Sequence, residues 1–135
     1  MVRSLKVLTL NVNGLSSDLK RYRLSSFTKQ QNIDILFLQE THKAKRDKKP
    51  LLKDPRWKVI VEARSNSKAR GVAILVHRKY DIKLKEVIPN GEGRYLLVKC
   101  LFEGKVITLA NIYAPNKGQK RFLIKKNSSS RDSAG

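Results

Sequence analysis

Acidic residues are scarce in this chain. Eleven Asp and Glu stand against thirty Lys and Arg, which leaves a formal charge of +19 and an isoelectric point near 10.4. A surface so dominated by one sign repels itself and implies a polyanionic partner. Nucleic acid, DNA or RNA, is the usual one, and salt-dependent affinity is its signature. An anionic membrane would also suit the charge, but no basic amphipathic helix with an aromatic face is evident. There is a single cysteine, Cys100, so no internal disulfide can form and a reducing compartment suits the chain. No apolar run approaches the roughly 20 residues of a membrane span. The opening "MVRSLKVLTLNVNG" lacks the layout of a secretory leader. The expectation is a soluble intracellular protein, nuclear or cytoplasmic, with no membrane contact. Only two histidines occur, His42 and His77; neither lies in an HExxH pattern, and no cysteine cluster offers zinc. GxxxxGKS, GxGxxG and GxSxG are missing, which removes support for P-loop, dinucleotide and hydrolase-elbow readings.

What is present suits one domain: 135 residues, 40% of them hydrophobic. "LKVLTLNVNGL" predicts a strand over about 5–11, broken at Asn13-Gly14. Ser16, Ser17 and Asp18 then offer helix caps. From Leu19 to about Gln31, the apolar Leu19, Tyr22, Leu24 and Phe27 favour one side, so an amphipathic helix is expected there. "DILFLQE" follows as a buried strand, and a crossover of this length places it beside the first strand and parallel to it. After the basic loop "THKAKRDKKPLLKDP" the pattern predicts strands over 57–63, 71–77, 81–88, 93–102 and 106–115, joined by short turns as antiparallel hairpins. "VAILV" and "VITLAN" are apolar on both pleat parities, which predicts mid-sheet strands covered on both faces. The final "NSSSRDSAG" cannot bury anything; disorder is expected over the polar tail 123–135.

The residues with chemical potential gather at predicted strand ends. "ILFLQETH" delivers Glu40 at the C-terminal end of a buried parallel strand, the rim where open α/β sheets place their sites. One carboxylate among polar neighbours suits Mg²⁺, which keeps several waters; the competing reading is a rim carboxylate paired with one of many lysines. Asn11 ends the adjacent strand and can face Glu40, although "NVNG" is also a good turn former. His42 is near enough in sequence to Glu40 to touch the same site, whereas His77 reads as structural. Asn111 and Tyr113 share a pleat parity in "NIYAPN" and offer an amide and a phenol to a phosphate oxygen. Lys43, Lys45 and Arg46 follow Glu40 directly, so their positive field covers the same rim.

Together, "LTLNVNGL", "ILFLQETH", "GVAILV" and "ITLANIYAPN", in this order and spacing, resemble the N-terminal half of the endonuclease domain of LINE-type retrotransposons. That domain lies within the endonuclease/exonuclease/phosphatase superfamily, alongside exodeoxyribonuclease III and the apurinic/apyrimidinic endonucleases. The resemblance runs from about Leu5 to Phe122. It implies an α/β fold, half of a four-layered sandwich, with one mixed sheet and a flanking helix. It implies Mg²⁺ or Mn²⁺ as cofactor, DNA as partner, Glu40 as metal ligand, Asn11 as positioner of phosphate and metal, and Tyr113 as phosphate contact. The later "GDFN"-type motif and the C-terminal aspartate–histidine pair of that family do not occur here. The expectation is therefore a partial domain over 1–122, cut short and inactive alone, with an exposed apolar face that favours self-association. A non-catalytic nucleic-acid binder, a phosphatase acting on lipid or inositol phosphates, and a ribosomal-type RNA binder are the alternatives. The last does not account for Glu40 at a strand end.

Overall fold

The structure, a computed structural model, describes residues 4–43, 50–64, 70–89 and 95–112. In chain order these form β1 (Val7–Asn11), α1 (Asp18–Gln30), β2 (Ile35–Gln39), β3 (Trp57–Ala63), β4 (Val72–His77), β5 (Ile82–Pro89), β6 (Tyr95–Phe102) and β7 (Lys105–Ile112). The strands make two sheets, β1-β2-β4-β3 and β5-β6-β7. The first is mixed: β1 and β2 are parallel, as the β-α-β pattern predicts, while β4 runs antiparallel to both β2 and β3.

The apolar runs explain this layering. β2 and β4 bury residues on both faces because each face meets a different core. Leu36, Leu38, Ala73 and Leu75 join Leu24 of α1, Leu51, Leu52 and Trp57 on one side. Ile35, Val72, Ile74 and Val76 meet Leu96, Val98, Cys100 and Phe102 of the second sheet on the other. Each fully buried aliphatic side chain contributes roughly 1.5–3 kcal/mol. These two strands therefore hold helix, first sheet and second sheet in register. α1 starts at Ser17, whose hydroxyl accepts from the Lys20 N–H in an extended N-cap.

Three expectations are corrected. The strands divide into two packed sheets rather than one: after His77 the chain leaves the first sheet, so β4 and β5 are not a hairpin. "VITLAN" lies on β7, an edge strand whose side chains are largely exposed, because nothing pairs with it beyond β6 among the described residues. On α1 the side turned to the sheet is Arg21, Leu24 and Thr28, while Leu19, Tyr22 and Phe27 are exposed. The inward turn is polar but satisfied. Arg21 donates to the Leu15 carbonyl at 2.5 Å and pairs with Asp18, and the Thr28 hydroxyl accepts from the Trp57 indole at 3.1 Å.

The hairpin β6–β7 turns through Glu103 and Gly104, both at positive φ (48° and 80°), the conformation that matches strand twist in a two-residue turn. Large apolar side chains remain exposed on β1 and the second sheet, among them Val7 and Val106 at 52% and 60%. No helix among the described residues is long and apolar enough to cross a membrane.

Candidate functional site

The site forms where β1 and β2 end side by side. Asn11 pairs with Gln39 in the parallel register, so the next residue, Glu40, emerges beside the Asn11 amide. The Asn11 Nδ2 group donates to Glu40 Oε2. On the other carboxylate oxygen, His42 Nε2 lies 3.3 Å from Glu40 Oε1. The Asn11 Oδ1 atom accepts from the Asn13 N–H at 3.1 Å. One side chain thus serves both groups: its oxygen closes the turn of "NVNG" and its nitrogen holds the Glu40 carboxylate.

Backbone bonds lock this rim from two sides. The Gly14 and Leu15 N–H groups donate to the Glu40 and Thr41 carbonyls at 2.7 and 3.1 Å, while the Thr41 and His42 N–H groups donate to the Gly71 and Arg70 carbonyls at 3.1 and 3.0 Å. The geometry requires an unusual backbone. Asn13, Glu40 and His42 adopt φ of 48°, 53° and 57°, and Gly14 and Gly71 adopt 92° and 129°. Non-glycine residues persist in the left-handed region only where the surrounding structure over-determines the chain, as these backbone bonds do here. A Cβ on Gly14 would approach His42 Nδ1 to 3.1 Å, and one on Gly71 would strike the Thr41 hydroxyl. The absence of both Cβ atoms lets the imidazole and the threonine pack against these turns. The buried Thr41 hydroxyl has no hydrogen-bond partner among the described residues.

Beneath the rim sits Asn111 of β7, 1% exposed. Its Nδ2 group donates to the Leu38 carbonyl at 2.9 Å and the Ala73 carbonyl at 2.8 Å, and its Oδ1 atom accepts from Gln39 Nε2 at 2.5 Å. Gln39 Nε2 also reaches Thr9 Oγ1 at 3.0 Å. Asn111, expected from sequence to contact phosphate, has both ends of its amide on protein groups and ties the second sheet to the end of β2. Lys43, expected from sequence to bind nucleic acid, lies close to this rim. It is 2% exposed and lines a cavity of about 250 Å³ with Ser17, Lys20 and His42 at the start of α1. Tyr113, Lys45 and Arg46 lie outside the described residues, as does the tail 123–135.

The donor chemistry at the rim fits a hard divalent cation in part. Glu40 offers carboxylate oxygens and is 20% exposed, and Asn11 supports it. Among the described residues, however, no three His, Cys, Asp or Glu side chains converge into a full ligand set. The rim can anchor an ion through Glu40 and leave the remaining positions to water and substrate oxygens.

Comparison with known proteins identifies the family and the fold. The model of the Endonuclease/Exonuclease/phosphatase family matches residues 8–127. The chain belongs to that family. The Transposon TX1 uncharacterized 149 kDa protein of Xenopus laevis is 27% identical over 123 residues, covering 87% of this chain and 9% of that protein. Among solved structures, the AP endonuclease LMAP from Leishmania major superposes with a TM-score of 0.67 at 22% identity, over 87% of this chain and 43% of that one. The endonuclease domain of TRAS1, a telomere-specific non-LTR retrotransposon, gives 0.60 at 16% identity, over 96% and 54%. At these identities the structural likenesses show the fold. This family member spans about half of each solved relative and under a tenth of the transposon protein.

Sequence reasoning placed Glu40 and Asn11 together and brought His42 near them. It missed Gln39 and Thr41. The signal for Gln39 was its place in register with Asn11, one residue before the carboxylate; Thr41 carries no signal until Gly71 is seen against it.

Proposed function

We propose that this chain carries the metal-binding half of a DNA endonuclease of the LINE-retrotransposon type, with residues 1–122 forming that part of the domain. The observation that carries the reading is the Asn11–Glu40–His42 cluster at the ends of paired parallel strands, in a chain of net charge +19. Family membership supports phosphate-ester chemistry, and the family's nucleases generally depend on divalent metals. Glu40 would hold Mg²⁺ or Mn²⁺, and such an ion, when bound, would neutralise charge developing on a phosphoryl oxygen. Asn11 and His42 hold the Glu40 carboxylate in place, Tyr113 would contact the phosphate, and Lys45 and Arg46 would track the DNA backbone.

Hydrolysis also needs a base to activate water and a group to stabilise the leaving oxygen. No "GDFN"-type motif or aspartate–histidine pair supplies them in this sequence. The chain by itself is therefore expected to bind DNA without cutting it. A second reading, a non-catalytic nucleic-acid binder, rests on the net charge of +19 and on the two motifs that this sequence does not contain. Self-association through the exposed apolar residues would bring two half-sites together without completing either.

The test is nicking of supercoiled plasmid in Mg²⁺ by the full chain and by Glu40→Gln, with DNA binding and Mn²⁺ binding followed in parallel. Salt-sensitive DNA binding, Mn²⁺ binding lost in Glu40→Gln, and no nicking are expected. Mn²⁺ binding unchanged in Glu40→Gln would remove Glu40 from its role. Binding of DNA with no Mn²⁺ affinity at all would leave the second reading.

A further inference from the structure

The first sheet has two ends, and the second also carries a built cavity. β2 is five residues long, so at about 3.3 Å per residue its N-terminal end lies roughly 16 Å from Glu40. There, where α1 ends and β4 ends, a cavity of about 210 Å³ is lined by Lys29, Asn32, Arg56, His77 and Lys79, among others. We propose that this cavity is a phosphate-binding site that takes one backbone phosphate of a nucleic acid, separate from the Glu40 rim.

Its cations are positioned by buried acids. Asp54 accepts from Arg56 Nε at 3.2 Å and Nη2 at 2.6 Å, and Asp34 lies 3.5 Å from Lys79 Nζ. Both carboxylates are nine-tenths or more buried and already hydrogen-bonded, Asp34 by the Lys6 N–H and the Tyr80 hydroxyl and Asp54 by Ser25. They orient their partners rather than fill the cavity. Among the described residues no acid pairs with Lys29, so three cations face two carboxylates that are already engaged, and an excess positive charge remains.

His77 adds a directed donor. Its Nδ1 atom accepts the Lys79 N–H at 3.2 Å, which in the neutral ring leaves the proton on Nε2, and Nε2 makes no hydrogen bond among the described residues. Burial, then the Lys79 and Arg56 charges, hold the His77 pKa below its ordinary value, against the opposing pull of Asp34 and Asp54. A neutral N–H donor amid uncompensated positive charge suits an anion and disfavours a cation. The volume falls below the roughly 300–1,000 Å³ of sites that enclose small organic molecules, so it suits a single anionic group on a larger ligand.

The inference rests on the nucleic-acid reading for the source of the phosphate, and the two can fail separately. The chain has only two histidines, one per site, so their ring C–H resonances report each site independently. The experiment titrates the full chain with a short DNA duplex and, in a second arm, with inorganic phosphate, following both histidines. Duplex binding is expected to shift His77. Lys29→Glu, at an exposed position, is expected to weaken duplex affinity and to reduce the slope of log affinity against log salt by about 0.9 for each phosphate no longer neutralised. The Glu40→Gln variant is expected to leave the His77 response intact. A duplex that binds and shifts only His42 would overturn the site while sparing the function proposed above. A duplex that binds neither site would overturn both. A His77 response to inorganic phosphate equal to that of the duplex would overturn the nucleic-acid source.

Discussion

Asn111 provides the sharpest test of how this site is supported. Replacing it with alanine removes the donor to the Leu38 and Ala73 carbonyls and the acceptor for Gln39 Nε2. At about 1 kcal/mol for each bond, and more where a buried group is left unpaired, the loss comes to about 3–4 kcal/mol. A domain of ordinary stability has only about 5–15 kcal/mol in total. Asn111→Asp should be worse than Asn111→Ala. It keeps the acceptor for Gln39 but aims a second carboxylate oxygen at two carbonyls in a site 1% exposed. The sole tryptophan, Trp57, is 4% exposed and reports unfolding directly. With an m-value of about 1.5 kcal/mol per molar urea, the alanine midpoint should fall by about 2 M. DNA affinity measured well below that midpoint should change little. The reasoning is refuted if Asn111→Ala leaves the midpoint in place and lowers DNA affinity instead, because Asn111 would then be meeting phosphate and not holding two sheets together.

Gly71→Ala should destabilise the chain by about 1–3 kcal/mol from the positive φ alone, and further from the clash with Thr41. Adding Thr41→Ala should restore the second part only, and full restoration in urea melts would show that the backbone is not strained there. His42→Ala frees one Glu40 oxygen and should weaken Mn²⁺ binding about 10-fold without moving the urea midpoint; unchanged affinity would show that the imidazole does not position the carboxylate. The acid limit should follow Asp34 and Asp54. Burial would raise both carboxyls, but hydrogen bonds and the Lys79 and Arg56 charges outweigh it and hold both below 3.8. Their contribution is complete above pH 3.8 and is lost as pH falls through the lower folded values. In Asp54→Asn the melting temperature should therefore vary less with pH in that range, and an identical profile would contradict the assignment.

Much of the rim is legible in local sequence. Gln39-Glu40-Thr41-His42 follows four apolar residues, Asn13-Gly14 ends a strand, and a helix-length crossover makes β1 and β2 parallel neighbours. From that alone Asn11 and Glu40 must meet, since parallel strands that start together end together. The helix is legible in the sequence, with Ser17 as one of three candidate caps, yet its buried side is not. Periodicity counts apolar residues, whereas this helix buries Arg21 and Thr28 because the Leu15 carbonyl, Asp18 and the Trp57 indole satisfy them.

The division into two sheets lies beyond local pattern as well. "VAILV" and "VITLAN" are equally apolar, but one becomes the covered centre of the first sheet and the other an exposed edge of the second. Which strand gains a neighbour on each side depends on where the chain crosses after His77, not on the strand itself. The same crossing carries Asn111 beneath Gln39, 72 residues away in sequence, and the turn at 78–81 sets Lys79 beside Asp34. Sequence by itself determined the basic charge, the helix, the parallel pair and the carboxylate at its end, because each depends on near neighbours. Tertiary structure alone decided that Asn111 and Lys43 are buried and that Lys29, Arg56 and His77 share a cavity, because those depend on how the second sheet and α1 each pack against the first sheet and its loops.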